Sequence, residues 1–309
     1  MPLAPETLDT LRDFLAPGDF ARAGAIVTDL DGTAVHEFEG RVAVPEPVEF
    51  GLKRLHESGH PFVINSLRFP LSVMRTFGRA WTSISNAPIP TVALNGSLIG
   101  HVLVDDRDQL VFREVDAFVL TPAEIDEMLA GVDGMLRDGV RDLLVFFYPR
   151  DWTAGEWIWT PDPARVDSVH AKYRSATGVI SGPFEALRQR LLAQPVCMVF
   201  LLIDLPQDRL MAYQHTKRSN FITHEGVDKL HGARALTRHL GFDLAHCIGA
   251  GDAELDTFLT GVGLAVIVGG APLDFKGRHA TVRIANSLEL GELLFSVADL
   301  AGTTHAAGR

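Results

Sequence analysis

The chain has 309 residues, of which 47% are hydrophobic and 22% are charged. This ordinary globular composition excludes a disordered or collagen-like chain, and at roughly 150 residues per domain the length suggests two domains. With 28 basic and 39 acidic residues the net charge is −11, which argues against a general affinity for nucleic acid or anionic membranes, although a local site could still bind an anion.

The first third of the chain alternates between helix-like and strand-like segments. After an amphipathic helix at 5–16, apolar strands are predicted at 25–30, 61–65 and 91–96. Helices are predicted between them, at about 47–58 and 70–81. This alternation is typical of a parallel sheet with crossover helices.

The middle of the chain has a different pattern. The predicted elements are two β-like runs within 101–115, a helix at 122–136, a hairpin from 143–148 and 156–160, a helix at about 183–193 and a strand at 196–204. We interpret this part as an inserted α+β domain.

The alternating pattern returns from Val227. The predicted elements are a helix at 229–240, a strand at 246–250, a helix at about 253–260, a strand at 264–268, a short helix, a strand at 281–285 and a terminal helix. We therefore expect an α/β core of 1–114 (with an N-terminal extension, 1–24) and 222–309, interrupted by an insert of 115–221.

No targeting or membrane segment is apparent. The apolar run at 196–203 is far shorter than the ~20 residues of a membrane span, and acids stand where a secretory signal would carry basic residues. Cys197 and Cys247 lie in apolar runs without a CxxC pattern. They are expected to be buried free thiols, although a single disulfide stays open, and a cytoplasmic location is expected.

The segment DLDGT at 29–33 lies at the carboxyl end of the first predicted strand, the edge where ligands bind in open α/β sheets. One of its two carboxylates can attack a substrate while the other serves as acid and base, with a divalent cation relieving their repulsion. Gly32 permits a tight bend. The alternative is a strand end with acidic turn residues.

The segment GDAELD at 251–256 follows another predicted strand. Asp252 and Asp256 would straddle the first turn of a helix and project toward the same edge of the sheet. Hard oxygen ligands that converge in this way suit magnesium. The alternative is a helix N-cap at Asp252 and a solvated Asp256.

Taken together, these motifs resemble those of the haloacid dehalogenase-like (HAD) superfamily, in particular its Cof-type group (subfamily IIB, with a C2 cap). DLDGT resembles the first motif, VINSLR at 63–68 the second, VDKLHGARAL at 227–236 the third, and GDAELD the fourth. The segments at 91–99 and 275–294 resemble the pre-cap segment and the C-terminal tail. The likeness runs from about residue 25 to the end, and it implies a Rossmann-like three-layer core with an inserted α+β cap.

The resemblance implies a magnesium-dependent phosphatase that forms an aspartyl-phosphate. Asp29 would be the nucleophile, and Asp31 would protonate the leaving oxygen and then deprotonate water. Thr33 would orient that pair. Ser66 would hold the phosphoryl oxygens, and Lys229 would neutralise charge.

In the implied cation site, Mg²⁺ would bind Asp29, the main-chain carbonyl of Asp31 and Asp252, with Asp256 in support. For Arg68 two roles remain open, a contact with the phosphate and a structural salt bridge.

Alternatives to these roles remain open at several positions. Ser66 could be a helix cap and Asn95 a turn residue. Lys229 could be a solvated lysine at a helix start, with Lys217 or Arg218 in its place.

Two departures from the family pattern stand out. The second motif reads Ser66-Leu67-Arg68 where Thr-Gly-Arg is common, and Leu255 stands where Asn is frequent. Both leave the acids intact, so altered or reduced activity is compatible with them.

Three functions remain in view. The first is a phosphatase for a small phosphorylated metabolite, with a sugar phosphate as the first choice. The second is a phosphosugar mutase similar to phosphomannomutases, and the third is a non-catalytic binding protein. No nucleic-acid or membrane partner is expected, and the oligomeric state is left open.

Two further groups of residues can be interpreted without a functional role. Trp152, Trp157 and Trp159 lie near Arg150 and either pack a hairpin or contact substrate. His56 and His60 are expected to be surface residues.

Overall fold

The computed structural model describes residues 3–38, 41–85, 87–203 and 221–307. The chain divides into two compact units. The first combines Met1–Asp116 with Val227–Arg309, and the second, Ala117–Gly226, is inserted between them. The boundaries expected from the sequence lie after residues 114 and 221.

The strands, numbered along the described chain, are β1 (Ile26–Thr28), β2 (His36–Phe38), β3 (Arg41–Ala43), β4 (Phe62–Asn65), β5 (Ile89–Ala93), β6 (Leu98–Val104), β7 (Leu110–Ala117), β8 (Leu143–Pro149), β9 (Trp157–Thr160), β10 (Gly178–Ser181), β11 (Val196–Ile203), β12 (Phe221–Ile222), β13 (Ile248–Gly251), β14 (Leu264–Val268) and β15 (Ala280–Ile284). The α-helices are α1 (Pro5–Leu15), α2 (Asp19–Ala23), α3 (Glu46–Glu57), α4 (Pro70–Val73), α5 (Arg79–Ser85), α6 (Pro122–Arg137), α7 (Val166–Lys172), α8 (Phe184–Leu192), α9 (Lys229–Leu240) and α10 (Ser287–Ala307).

The described part of the first unit is built on an eight-stranded sheet of order β15-β14-β13-β1-β4-β5-β6-β7. The strands from β15 to β5 are parallel, and β6 returns antiparallel to β5. From β1 the chain builds outward through β4 and β5, and it later fills the other side with β13, β14 and β15. The order therefore reverses at β1, and ligands in open α/β sheets bind beyond the carboxyl ends of the strands at such a point.

Helices cover both faces of this sheet. On one face Val27, Val63 and Val92 form a buried cluster with Ala233 and Leu236 of α9. On the opposite face, α3 and α10 pack against each other, and Val48 and Leu290 lie beside Ile26 of β1. The mostly parallel α/β architecture predicted from the sequence is confirmed.

The segment that precedes β1 belongs to the core. In α2, Phe20 is buried and its ring stacks on that of His60, with centroids 4.5 Å apart. Nδ1 of His60 lies 3.2 Å from the carbonyl oxygen of Gly24, and only 6% of His60 is exposed. The expectation of a surface His60 is wrong, because the aromatic partner comes from far upstream.

The second unit has its own sheet and its own core. Its strand order is β10-β9-β8-β11-β12, and β8 pairs antiparallel with both β9 and β11. Residues of α6, α8 and the sheet form one buried cluster, to which Trp159 belongs and against which Trp157 packs. These two tryptophans are packing residues.

The predictions of two helices, at 253–260 and between β14 and β15, are wrong. In place of a helix at 253–260 there is a 3₁₀ turn at Thr257–Thr260, because the Asp256 carboxylate binds the preceding backbone and closes a loop. Between β14 and β15 the described chain is irregular, since three glycines and Pro272 interrupt it. The helix predicted at 70–81 is formed as α4, a π-helical turn at Met74–Gly78, and α5.

Among the described residues, no helix is both long and apolar enough to cross a bilayer. Cys197 and Cys247 are buried, and neither takes part in a disulfide among the described residues, which confirms the expected buried thiols.

Candidate active site

Three neighbouring strands of the first unit end at the same edge of the sheet. Asp29 follows β1, Ser66 follows β4, and Asp252 follows β13. The N–H of Asp29 donates to the carbonyl of Ala250, and the N–H of Ser66 donates to that of Val92. Because parallel strands share their direction, residues far apart in sequence are brought together beyond β1.

Lys229 connects two buried carboxylates at this edge. Its Nζ lies 2.6 Å from Oδ1 of Asp29 and 2.7 Å from Oδ1 of Asp256. Lys229 is the first residue of α9, after the N-cap Asp228, and its main-chain carbonyl accepts a hydrogen bond from the Asn65 side chain. Only 3% of Lys229 is exposed, which excludes the solvated-lysine alternative.

Asp256 holds the loop that carries Asp252. Its Oδ2 accepts hydrogen bonds from the N–H groups of Asp252 and Ala253, at 2.8 and 2.9 Å. Oδ1 of Asp252 accepts one from the Thr33 hydroxyl at 2.9 Å. Asp256 is fully buried, so the alternative of a solvated side chain is excluded.

Gly32 allows the two acidic loops to approach each other closely. Its φ is +77°, and a Cβ at this position would collide with the Asp252 carboxylate. A side chain there would therefore displace the Asp252 carboxylate and strain the left-handed backbone, which is the physical reason for the glycine of DLDGT.

Asp29, Asp252 and Asp256 form a group that fits a metal ion. Each offers a carboxylate oxygen, and these oxygens lie within 4.8 Å of one another. Lys229 is the cation that pairs with two of them. Three carboxylates facing one lysine leave negative charge that a hard divalent cation would neutralise. The resemblance implies that Asp31 binds the cation through its main-chain carbonyl, so its side chain does not belong to this group of carboxylates.

Burial and charge perturb the proton affinities of this group. Burial raises the pKa of Asp29 to about 7, although Lys229 lowers it. Burial lowers the pKa of Lys229, but Asp29 and Asp256 together raise it above its ordinary value. Burial also raises the pKa of Asp252. A cation at this site would therefore compete with a proton for Asp29.

Arg68 pairs with Asp31 in a bidentate ion pair. Its Nε lies 2.7 Å from Oδ2 of Asp31, and its Nη2 lies 2.6 Å from Oδ1. Nη1 donates to the hydroxyls of Ser72 and Thr76, at 3.0 and 2.7 Å. The structure thus shows the salt bridge that the sequence left open for Arg68, and the contact of Arg68 with phosphate stays a prediction.

A left-handed turn after β5 supports the loop at 66–68. Leu94 and Asn95 have φ of 50° and 56°, values that non-glycine residues adopt rarely. Their N–H groups donate to the carbonyls of Arg68 and Ser66. Buried Asn95 makes the turn, as one alternative held, and such strained turns are frequent at functional sites.

The structure brings most of the candidate residues to one edge, but sequence reasoning missed three supporting side chains. Asn65 has a sequence signal, since it is a polar residue that closes an apolar strand. Ser72 and Thr76 have none, because their role depends on the direction of the Arg68 side chain. Lys217 and Arg218, the rivals of Lys229, lie outside the described residues.

Comparison with solved structures identifies the fold. A HAD subclass IIB sugar phosphatase has a TM-score of 0.60 at 15% identity, and the match covers 92% of this chain and 99% of that one. A Bacteroides thetaiotaomicron protein analysed among phosphatases of the haloalkanoate (HAD) enzyme superfamily has a TM-score of 0.59 at 15% identity, covering 90% and 95%. A haloacid dehalogenase-like hydrolase from B. subtilis has a TM-score of 0.58 at 17% identity, covering 90% and 98%.

Many structures similar to this chain are thus HAD superfamily phosphatases and hydrolases. The resemblance seen in the sequence is confirmed at the level of the fold. No family profile matches the chain, and no curated protein does.

Proposed function

We propose that this protein is a divalent-cation-dependent phosphatase of the HAD superfamily that hydrolyses a small phosphorylated metabolite. The observation that supports this most directly is the Asp29 carboxylate, which is buried beyond β1, hydrogen-bonded to Lys229 and adjacent to Asp252. The solved structures of the same fold include sugar phosphatases, so a sugar phosphate is the first substrate class to test.

In the proposed reaction, an oxygen of Asp29 attacks phosphorus while the bond to the leaving oxygen breaks. Asp31 first takes up a proton from solvent on one oxygen, which requires one of its two hydrogen bonds to Arg68 to open. It gives this proton to the leaving oxygen, so that an alcohol departs and Asp29 becomes phosphorylated. Asp31 then takes a proton from water, which attacks phosphorus and releases inorganic phosphate. Lys229 stabilises charge near Asp29, and Ser66 binds phosphoryl oxygens.

Mg²⁺ is the cation we propose, held by Asp29, the main-chain carbonyl of Asp31 and Asp252. When bound, it would supply positive charge next to the transferring phosphoryl group. Asp256 supports the site indirectly, since one of its oxygens binds Lys229 and the other holds the Asp252 loop. Thr33 orients Asp252 through its hydroxyl.

The second unit is the part that we propose as a cap domain. Its insertion at Ala117–Gly226 matches the position of the cap that the sequence resemblance implies. We further propose that the protein acts in the cytoplasm on a free small molecule, without a nucleic-acid or membrane partner.

The proposed function is tested by phosphate release from a panel of phosphorylated metabolites with and without Mg²⁺. We expect Asp29→Asn to lose at least about 10³-fold in turnover, because it removes the nucleophile. Asp13→Asn is the charge-matched control, since this exposed residue lies in α1.

Equal activity of wild type and Asp29→Asn on every substrate would refute the nucleophile assignment. An isomerised phosphosugar formed without free phosphate would indicate a mutase instead. Metal binding without turnover would indicate a binding protein.

A further inference from the structure

Arg68 is held on two sides by different partners. Its four hydrogen bonds use four of the five N–H donors of a guanidinium, two toward Asp31 and two toward hydroxyls. Its side chain is 20% exposed, whereas that of Asp31 is 54% exposed. The arginine is therefore the fixed partner of the pair, and the aspartate is the partner that faces solvent.

We propose that Ser72 and Thr76 are positioning residues that act through Arg68 on Asp31, and so set the direction of the acid–base carboxylate. This inference rests on the proposed function, because Asp31 is the acid only in that reaction. Within the described residues, the hydrogen bonds to the Asp31 carboxylate come from Nε and Nη2 of Arg68. Whatever fixes the guanidinium thereby fixes the direction of the carboxylate. For proton donation one of the two hydrogen bonds opens and that oxygen is protonated, while the other hydrogen bond keeps Asp31 oriented.

The local backbone presents the two hydroxyls together. Ser72 belongs to α4, and Thr76 lies four residues later in the π-helical turn at Met74–Gly78. Residues four apart share one face of a helix, and π-turns inside α-helices are frequent at functional sites. This helical segment therefore presents both hydroxyls to Nη1 of Arg68.

Other hydroxyls of the same helical segment behave differently. The Thr82 hydroxyl donates to the main-chain carbonyls of Gly78 and Arg79, and the Ser85 hydroxyl donates to that of Trp81. Hydroxyls inside helices commonly bind a carbonyl of the preceding turn in this way. Ser72 and Thr76 instead accept hydrogen bonds from a charged side chain. Hydrogen bonds to a charged group are stronger than neutral ones, so they orient the arginine more firmly.

The test compares kcat/KM on two substrates, since this ratio reports the step in which the leaving group departs. An alkyl phosphate needs a proton from Asp31, whereas p-nitrophenyl phosphate has a leaving group that departs without one. For the double variant Ser72→Ala, Thr76→Val we expect kcat/KM to fall ~10–100-fold on the alkyl phosphate and less than ~3-fold on the aryl phosphate.

Matched variants separate positioning from packing. Thr82→Val removes a hydroxyl from the same helix without touching Arg68 and should leave the ratio of the two substrates unchanged. The single variant Thr76→Ser, in which Ser72 is unchanged, retains both hydroxyls and should keep the wild-type kcat/KM on the alkyl phosphate. In an Arg68→Met background the double variant should add no further loss, because the arginine through which it acts is gone.

An activity-independent measurement separates failure of this inference from failure of the proposed function. The ¹⁵N-bound guanidinium protons of Arg68 should give sharp, slowly exchanging NMR signals in wild type and in Thr82→Val. They should broaden in the double variant. Unchanged signals, or equal losses on both substrates, would overturn the positioning role. Broadened signals in a protein without phosphatase activity would support the positioning of Arg68 and overturn only the proposed function.

Discussion

At the scale of single residues, the site depends on one buried lysine between two buried acids. Taking charges out of water is costly, and attraction within the group offsets this cost only if the partners remain in place. Lys229 contacts Asp29 on one side and Asp256 on the other. It therefore links the β1 edge to the loop after β13, and we expect its removal to affect stability as well as the proposed activity.

We expect Lys229→Met to lower the free energy of unfolding by about 3–5 kcal/mol, because it leaves two buried carboxylates without their cation. The loss should be smaller at pH 5 than at pH 8, because burial raises the pKa of Asp29 to about 7 and its protonation below that pH removes the repulsion between the two groups. Urea denaturation at the two pH values measures this difference.

Lys53→Met is the control for that experiment. Lys53 lies on α3 with its nearest acid, Glu57, 3.9 Å away at the surface, and such pairs contribute only ~0–1 kcal/mol. A Lys229→Met protein as stable as Lys53→Met at pH 8 would contradict the structural role of Lys229.

The candidate acids were predictable from sequence because they follow recognisable strands. Asp29 and Asp252 each end an apolar run, and parallel strands bring such ends together. The pairing of Arg68 with Asp31 was not predictable in the same way. A long side chain chooses among several acceptors according to direction, and one-dimensional spacing contains no information about that direction.

At the scale of elements, the start of α6 is held by a network around Glu124. Its carboxylate accepts hydrogen bonds from the N–H and hydroxyl of Thr121. The Thr121 hydroxyl in turn accepts one from the N–H of Glu124, which completes a capping box. The Glu124 carboxylate also binds the N–H of Glu225 and lies 3.0 Å from Nδ1 of His224. Glu124 thus ties together the beginning and the end of the second unit.

This network predicts a pH-dependent contribution to stability. Burial raises the pKa of Glu124, but hydrogen bonds from Thr121, His224 and Glu225 outweigh it and lower the pKa to about 2. A carboxyl whose folded pKa is depressed stabilises the protein above its ordinary pKa, near 4.5, and loses this contribution as the pH falls toward 2.

We expect Glu124→Gln to cost ~1 kcal/mol of stability at pH 7 and much less near pH 2, because a glutamine can still close the capping box but accepts weaker hydrogen bonds than a carboxylate does. Thermal unfolding across this range measures the difference. Glu127→Gln, at an exposed position of the same helix, should show little change. A cost for Glu124→Gln that is independent of pH would contradict the role of its charge.

The helices and strands with strong periodicity were predictable, and the irregular ones were not. The strands β1, β4 and β14 are buried throughout, so their sequences are apolar except for Thr28 and Asn65 at the ends of β1 and β4. The hairpin of β2 and β3 was missed because its short strands lack such a run. The helix expected at 253–260 failed because Asp256 competes for the backbone N–H groups that would begin it.

At the scale of the whole molecule, the second unit has what an independently folding domain requires. It has its own sheet, its own buried cluster and a network that joins its two ends. Domains inserted in this way commonly fold alone when their termini are close together.

We therefore expect the fragment 117–226 to fold cooperatively by itself. Circular dichroism should show mixed helix and strand, with a single thermal transition. Glu124→Gln should lower its midpoint, because the network joins the ends of the fragment. A fragment that stays unfolded, or that melts without cooperativity, would refute its independence.

The order of synthesis matters for a site assembled from distant parts of the chain. Asp29 and Lys229 are 200 positions apart, and Thr33 and Asp252 are 219 apart. Contacts of such high sequence separation form slowly, whereas the local contacts of the inserted unit can form early. Asp29, the nucleophile that we propose, is therefore synthesised well before Lys229 and Asp252, the groups that we propose act with it. The proposed site can form only after synthesis has passed the inserted unit and reached these residues.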